Sequence, residues 1–120
     1  MRHTRRGYNR TERVADLIQK ALAQILLQSM LDDRFHLVTL TGVTVSKDFS
    51  YATVYVSVLM DEEKKINDVI DALNRAAKSL RYDMAQEIEL RVIPRLKFVY
   101  DESTARGFRI SGLIDSAVKK

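Results

Sequence analysis

The chain has 120 residues, enough for one domain with its own core, and its 46% hydrophobic content excludes general disorder. It has no cysteine, which excludes a disulfide scaffold, an iron–sulfur cluster and a thiolate zinc site. The net charge of +4 is unevenly placed: residues 1–13 carry Arg2, Arg5, Arg6, Arg10 and Arg13 against Glu12 alone, Lys119 and Lys120 close the chain, and the stretch between is slightly acidic.

Asn9 and Glu12 have the spacing of a capping box, in which a side chain and a backbone amide satisfy each other across the first helical turn. Val14, Leu17, Ile18, Ala21, Leu22 and Ile25 continue it as an apolar stripe. The spacing predicts a first helix over about residues 10–30, ended by Asp32-Asp33-Arg34. Two strands follow. Val38 and Leu40 share one face, whereas Val43 and Val45 have the opposite parity, so a bulge is expected at Gly42. Over roughly 50–60, Ala52, Val54, Val56, Val58 and Met60 alternate with Tyr51, Thr53, Tyr55, Ser57 and Leu59, which predicts one packed and one open face. Ser46-Lys47-Asp48-Phe49 is short enough for an antiparallel hairpin turn.

Asp61-Glu62-Glu63 places acids at a helix start. From Ile66 to Ile88 the apolar period stays helical, with no breaker until Pro94. Since about 27 residues is long for a globular helix, two helices are expected, with a kink at Ala76-Ala77-Lys78-Ser79. Pro94 holds Ile93 extended and is expected to mark the end of the second one. Leu96, Phe98 and Tyr100 then alternate with Lys97, Val99 and Asp101 as a strand, with Asp101, Ser103 and Thr104 available as caps beyond it. Ile110, Leu113, Ile114, Ala117 and Val118 suggest a short last helix, weakened by Gly107 and Gly112. The organisation read from these signals is a basic arm at 1–9, one domain at 10–102 and a C-terminal helix or tail at 103–120.

Catalytic signatures are missing. His3 and His36 are isolated, so no metal site is expected. Gly107–Gly112 superficially resembles a phosphate loop but lacks the following Lys-Ser/Thr. Asp101-Glu102 are better explained as helix caps than as an acid/base pair. The opening residues lack the apolar core of a secretory signal, and no apolar run approaches the roughly 20 residues that span a bilayer. The expectation is a cytoplasmic protein with no membrane partner, no cofactor and no enzymatic activity. A hydrolase or transferase would need a clustered catalytic set.

The positive signal is basic. Arg75, Lys78 and Arg81 recur along one side of the helix at the expected kink, with Tyr82 beside them. Arg95 and Lys97 share the outer strand face, and Arg106 and Arg109 open the last helix. Residues 61–71 are net acidic and 75–109 net basic, a polarity that would orient a polyanion. An ordinary solvated helix face accounts for the same charges taken alone.

Four segments in order resemble the ribosome-binding factor A family across nearly the whole chain: Arg13-Val-Ala with its stripe; Gly42-Val-Thr-Val-Ser-Lys-Asp leading to Tyr51-Ala-Thr-Val-Tyr-Val; Leu73-Asn-Arg-Ala-Ala-Lys-Ser-Leu-Arg81; and Arg91-Val-Ile-Pro-Arg-Leu-Lys-Phe-Val-Tyr-Asp-Glu-Ser103. The resemblance implies an α+β, KH-like domain of the type II arrangement. Its order would be α-β-β-α-kink-α-β with a short C-terminal helix, and its three-stranded sheet would carry helices on one face. An interrupted helix would replace the usual Gly-x-x-Gly loop. The family's interruption reads Ala-x-Gly, whereas here Lys78 takes the glycine's place. The implied function is non-catalytic assembly of the small (30S) ribosomal subunit: binding as a monomer, contacting 16S rRNA and neighbouring ribosomal proteins, assisting late rRNA processing and supporting growth after cold shock. The family's rRNA-facing positions carry over to Lys47 and Arg81. Charge alone extends the RNA-binding set to Arg2, Arg5, Arg6, Arg10, Arg13, Arg75, Lys78, Lys97, Arg106 and Arg109. The alternative is a general single-stranded RNA-binding module, with Tyr51, Tyr55 and Tyr82 as stacking platforms.

Overall fold

Asn9 opens the fold as the sequence predicts: its side chain accepts from the Glu12 amide at 3.0 Å while Glu12 accepts from the Asn9 amide at 2.8 Å. The computed structural model describes residues 9–60 and 62–103. Helix α1 spans Arg10–Gln28, strand β1 Val38–Val45, β2 Tyr51–Val58, helix α2 Glu63–Arg75, α3 Ala77–Glu87 and β3 Arg95–Tyr100. The sheet order is β1-β2-β3, with β1 antiparallel and β3 parallel to β2. A parallel return needs a long crossover, and α2 and α3 supply it.

The core lies between the helices and one sheet face. Ala52, Val54, Val56 and Val58 of β2 are buried, with Leu96 and Phe98 beside them on β3. Ile18, Leu22 and Leu26 of α1, Ile66, Val69 and Leu73 of α2, and Leu80 and Met84 of α3 close over them. The buried seam of α1 is displaced from the expected stripe: Leu17 is 42% exposed, and Leu26 takes a core place. The bulge falls where the parity switch puts it, with the β1–β2 register shifting between Leu40 and Gly42.

Two expectations are corrected. Helix α1 stops at Gln28, and Asp32 opens a separate 3-10 turn over Asp33–Leu37 that buries Phe35. Helix α3 ends at Glu87, well before Pro94, because Ile88 is already extended. Helix α2 begins at Glu63, within the acidic stretch expected to open it and with Glu63 in its first turn, although no side chain caps it; Asp61 lies outside the described residues. The joint between α2 and α3 is Ala76, at φ −88° and ψ 0°. Its amide is shared between the carbonyls of Ala72 (3.0 Å) and Leu73 (3.1 Å), and its carbonyl starts α3 by accepting from Leu80. No left-handed residue is needed there, so the interruption forms without a glycine. Asp101 caps the residues after β3 by accepting from Ser103; the expected C-terminal helix at 110–118 lies outside the described residues.

Strand β3 is an edge strand, and two side chains flanking Ala76 hold it. Asn74 donates from Nδ2 to the Phe98 carbonyl (2.9 Å) and accepts the Phe98 amide at Oδ1 (2.8 Å), so it substitutes for a neighbouring strand at that residue. Arg81 donates from Nε to the Ile93 and Pro94 carbonyls (3.1 Å each) and from a terminal nitrogen to Ile93 (2.6 Å).

The hairpin turn is fixed by a small polar network. Asp48 accepts at Oδ1 from the Ser50 hydroxyl (2.7 Å), the Ser46 hydroxyl (2.8 Å) and the Ser50 amide (3.1 Å). The network holds Phe49 at φ 60°, a left-handed conformation that a bulky residue adopts only under constraint.

Two outcomes follow from these contacts. Asn74→Ala strips both edge hydrogen bonds from Phe98 and should lower unfolding free energy by about 2 kcal/mol in denaturant titrations, with loss of exchange protection at the Phe98 amide. The Ser50 and Ser46 hydroxyls hold the Asp48 carboxyl down from 3.8 to about 2. Its contribution is therefore complete above the ordinary carboxylate range and is lost as pH falls through about 2. The Ser50 amide resonance should titrate with that low midpoint, and Asp48→Asn should abolish the titration.

Candidate nucleic-acid interface

The predicted cations divide into groups once placed on the fold. Arg10, in the first turn of α1, lies over the Phe49 ring with its guanidinium carbon 5.7 Å from the centroid. This cation–π contact brings the start of the domain against the hairpin turn that carries exposed Lys47. Arg13 is exposed one turn further along α1.

The second group surrounds the joint. Arg75 is the last residue of α2 and Lys78 lies in the first turn of α3, both exposed. No side chain caps the first turn of α3. Among the described residues, neither Lys47, Arg75, Lys78 nor Lys97 has a carboxylate within 4.0 Å. Arg75 does feel one acid at longer range. Asp32 is held down to about 2, first by hydrogen bonds from the Arg34 side chain and backbone and, more weakly, by the charge of Arg75. The Arg34–Asp32 pair itself is tight at 2.6 Å, so Asp32 is largely neutralised by its own neighbour.

Arg81 belongs to neither group. It continues the helical spacing of Arg75 and Lys78, but its guanidinium turns back onto the Ile93 and Pro94 carbonyls and is half-buried. Its positioning role is to hold the start of β3. The joint and the hairpin turn are linked through that start, since the Arg95 amide donates to the Ser50 carbonyl at 2.9 Å. Lys97 lies on the sheet face opposite the helices, so the fold separates it from Arg75 and Lys78. Tyr82 is 68% exposed on α3. Arg2, Arg5, Arg6, Arg106 and Arg109 lie outside the described residues.

Sequence reasoning missed Asn74 and Arg34. An asparagine near a helix end usually signals a local cap, and its partner here is 24 residues away. Arg34 could have been found, because Asp-x-Arg before a turn is a local pairing pattern. The acidic start of α2 is partly offset by an exposed Lys65–Glu62 pair at 3.0 Å. Among the described residues, no polar or charged side chain is buried and no group of three potential metal ligands is present. No helix among them is long and apolar enough to cross a membrane.

Comparison with known proteins places this arrangement. A family model described as ribosome-binding factor A matches residues 10–114. The chain is 48% identical over 115 residues to ribosome-binding factor A of Nitrosomonas europaea, covering 96% of this chain and 97% of that protein. It is 45% identical over 113 residues to that of Nitrosococcus oceani, covering 94% and 88%. Its structure is similar to the crystal structure of ribosome-binding factor A from Thermus thermophilus, with a TM-score of 0.65 at 30% identity, covering 77% of this chain and 97% of that one. It is also similar to a homology model of the Thermus thermophilus factor fitted into a cryo-EM map of its complex with the 30S subunit, with a TM-score of 0.60 at 33% identity, covering 73% and 91%. Both the sequence match and the α+β architecture therefore agree, and this chain belongs to the ribosome-binding factor A family.

Proposed function

We propose that this protein binds free small ribosomal subunits in the cytoplasm and assists late maturation of 16S rRNA by binding alone, as a monomer and without a cofactor. Family membership supports the partner. The observation that carries the interface is the exposed cationic joint, where Arg75 and Lys78 flank Ala76. Lys47 and Arg10 at the hairpin turn extend this charge toward the N-terminal arm. Phosphates are the natural ligands of such a surface, because guanidinium and ammonium groups both favour them.

The action is a shift of populations. A factor that binds an immature subunit more tightly than a mature one holds the first until assembly removes its site. Rigid placement of the joint serves this selectivity, because a fixed set of cations discriminates between phosphate arrangements that a flexible set would accept equally.

Charge reversal tests the reading. Lys47→Glu, Arg75→Glu and Lys78→Glu together should leave the fold intact, since all three side chains are exposed. The triple variant should lose co-sedimentation with free small subunits in gradients. Its residual binding should depend less on salt, with the slope of log affinity against log salt reduced by about 2–3 units, at roughly 0.7–0.9 per phosphate. Unchanged co-sedimentation would place the interface elsewhere. Arg81→Glu is not an equivalent probe, because it breaks the hold on β3 and should lower stability as well as binding.

A further inference from the structure

The sheet face that the helices leave open has a composition of its own. None of the three strands contains an acidic residue, and their only charges are Arg95 and Lys97. Both are exposed, and both stand on the open face, because Leu96 and Phe98 between them are buried. Their Cα atoms are about 6–7 Å apart along the strand. The register sets Arg95 beside Tyr51, Lys97 beside Thr53 and Val99 beside Tyr55. Tyr51 is 49% exposed. On the other side, Thr44 pairs with Thr53 and Gly42 with Tyr55. Among the described residues, Asp48 and Asp101 stand at the margins of this face: Asp48 is saturated by Ser46 and Ser50, and Asp101 accepts from Thr41 and Ser103.

Gly42 supplies an independent observation. Its φ is not positive, so its backbone does not call for glycine. Among the described residues, a Cβ built on it meets nothing within 4 Å. The Tyr55 ring opposite therefore does not fold over the bare backbone, as an aromatic does when it rescues a strand glycine. Among the described residues, nothing fills the space over Gly42 beside half-buried Tyr55, on a face that also carries Tyr51 and two cations.

We propose that this open face is a second contact surface, for single-stranded RNA. Arg95 and Lys97 take phosphates, bases stack on Tyr51 and Tyr55, and the space over Gly42 admits a base lying flat on the sheet. Interleaved aromatic and cationic residues on an open sheet suit unpaired bases, which a duplex keeps hidden. The inference rests on the reading of the protein as an rRNA-binding factor. It adds a surface on the opposite side from the joint, so that one molecule contacts a folded segment and an unpaired segment at once.

The test uses the full chain and a fluorescein-labelled ten-nucleotide oligouridylate. Binding is read by anisotropy and by amide resonance shifts of labelled protein. In the wild type, shifts should concentrate at residues 42, 51, 53, 55, 95 and 97. Tyr51→Ala with Lys97→Glu should weaken binding by at least about tenfold. Gly42→Thr places a side chain in open space on a strand, so it should raise Tm while also weakening binding by about tenfold. Gly42→Thr binding as tightly as the wild type, or shifts confined to the joint, would overturn the proposal. Subunit sedimentation separates it from the functional reading. Loss of subunits by the joint variant with full oligouridylate binding by the sheet variants sinks this proposal alone, and the converse sinks the joint alone.

Discussion

Strand β3 is held on both sides, and the rest of the molecule depends on that constraint. On one side it pairs with β2; on the other, Asn74 takes both polar groups of Phe98. Arg81 fixes the strand's entry through Ile93 and Pro94. Asn74 closes α2 and Arg81 lies just past the start of α3, so the two anchors straddle Ala76. The angle of the interrupted helix is thus set by two contacts to one strand, rather than by the conformational preference of the joint residue. This explains how Lys78 stands where the family's pattern has a glycine: nothing at the joint requires a left-handed backbone.

The same constraint sorts the cations. Of the series Arg75, Lys78, Arg81, the last is turned inward to serve main-chain carbonyls, and the first two are left to solvent. A guanidinium suits the inward task, since its planar fork reaches two carbonyls at once. The outward pair is carried by a part of the backbone that cannot swing. Electrostatics and packing are therefore not separate layers here. The half-buried arginine contributes to stability through its carbonyl bonds, and the position it fixes decides where the remaining charge is presented.

Much of this was legible in the residues. The Asn9–Glu12 capping box, the Gly42 parity switch, the alternating face of β2 and the break near Ala76 are all local patterns, and local patterns survive folding when the apolar period agrees with them. The illegible parts involve distance or competition. Asp32-Asp33-Arg34 has the composition of a helix end, but the chain uses Asp32 to start a new turn, because Phe35 needs a way into the core. Pro94 sets only an outer limit for α3, which Ile88 ends earlier by turning extended. For the site, spacing placed Arg75 and Lys78 correctly on exposed helix faces. It could not distinguish Arg81 from them, since the carbonyls that claim it are 12 and 13 residues away. Strand alternation puts Lys97 with Arg95 on the outer strand face, and the fold has it there, on the side of the sheet away from the joint.

Asn74's grip on Phe98 also bears on how the protein behaves in a crowded solution. A parallel edge strand normally presents a free ladder of amides and carbonyls, on which a second chain can nucleate cross-chain pairing. Here that ladder is interrupted at its middle residue by a side chain from the protein's own helix. A chain whose open edge is stopped in this way is spared one route to aggregation.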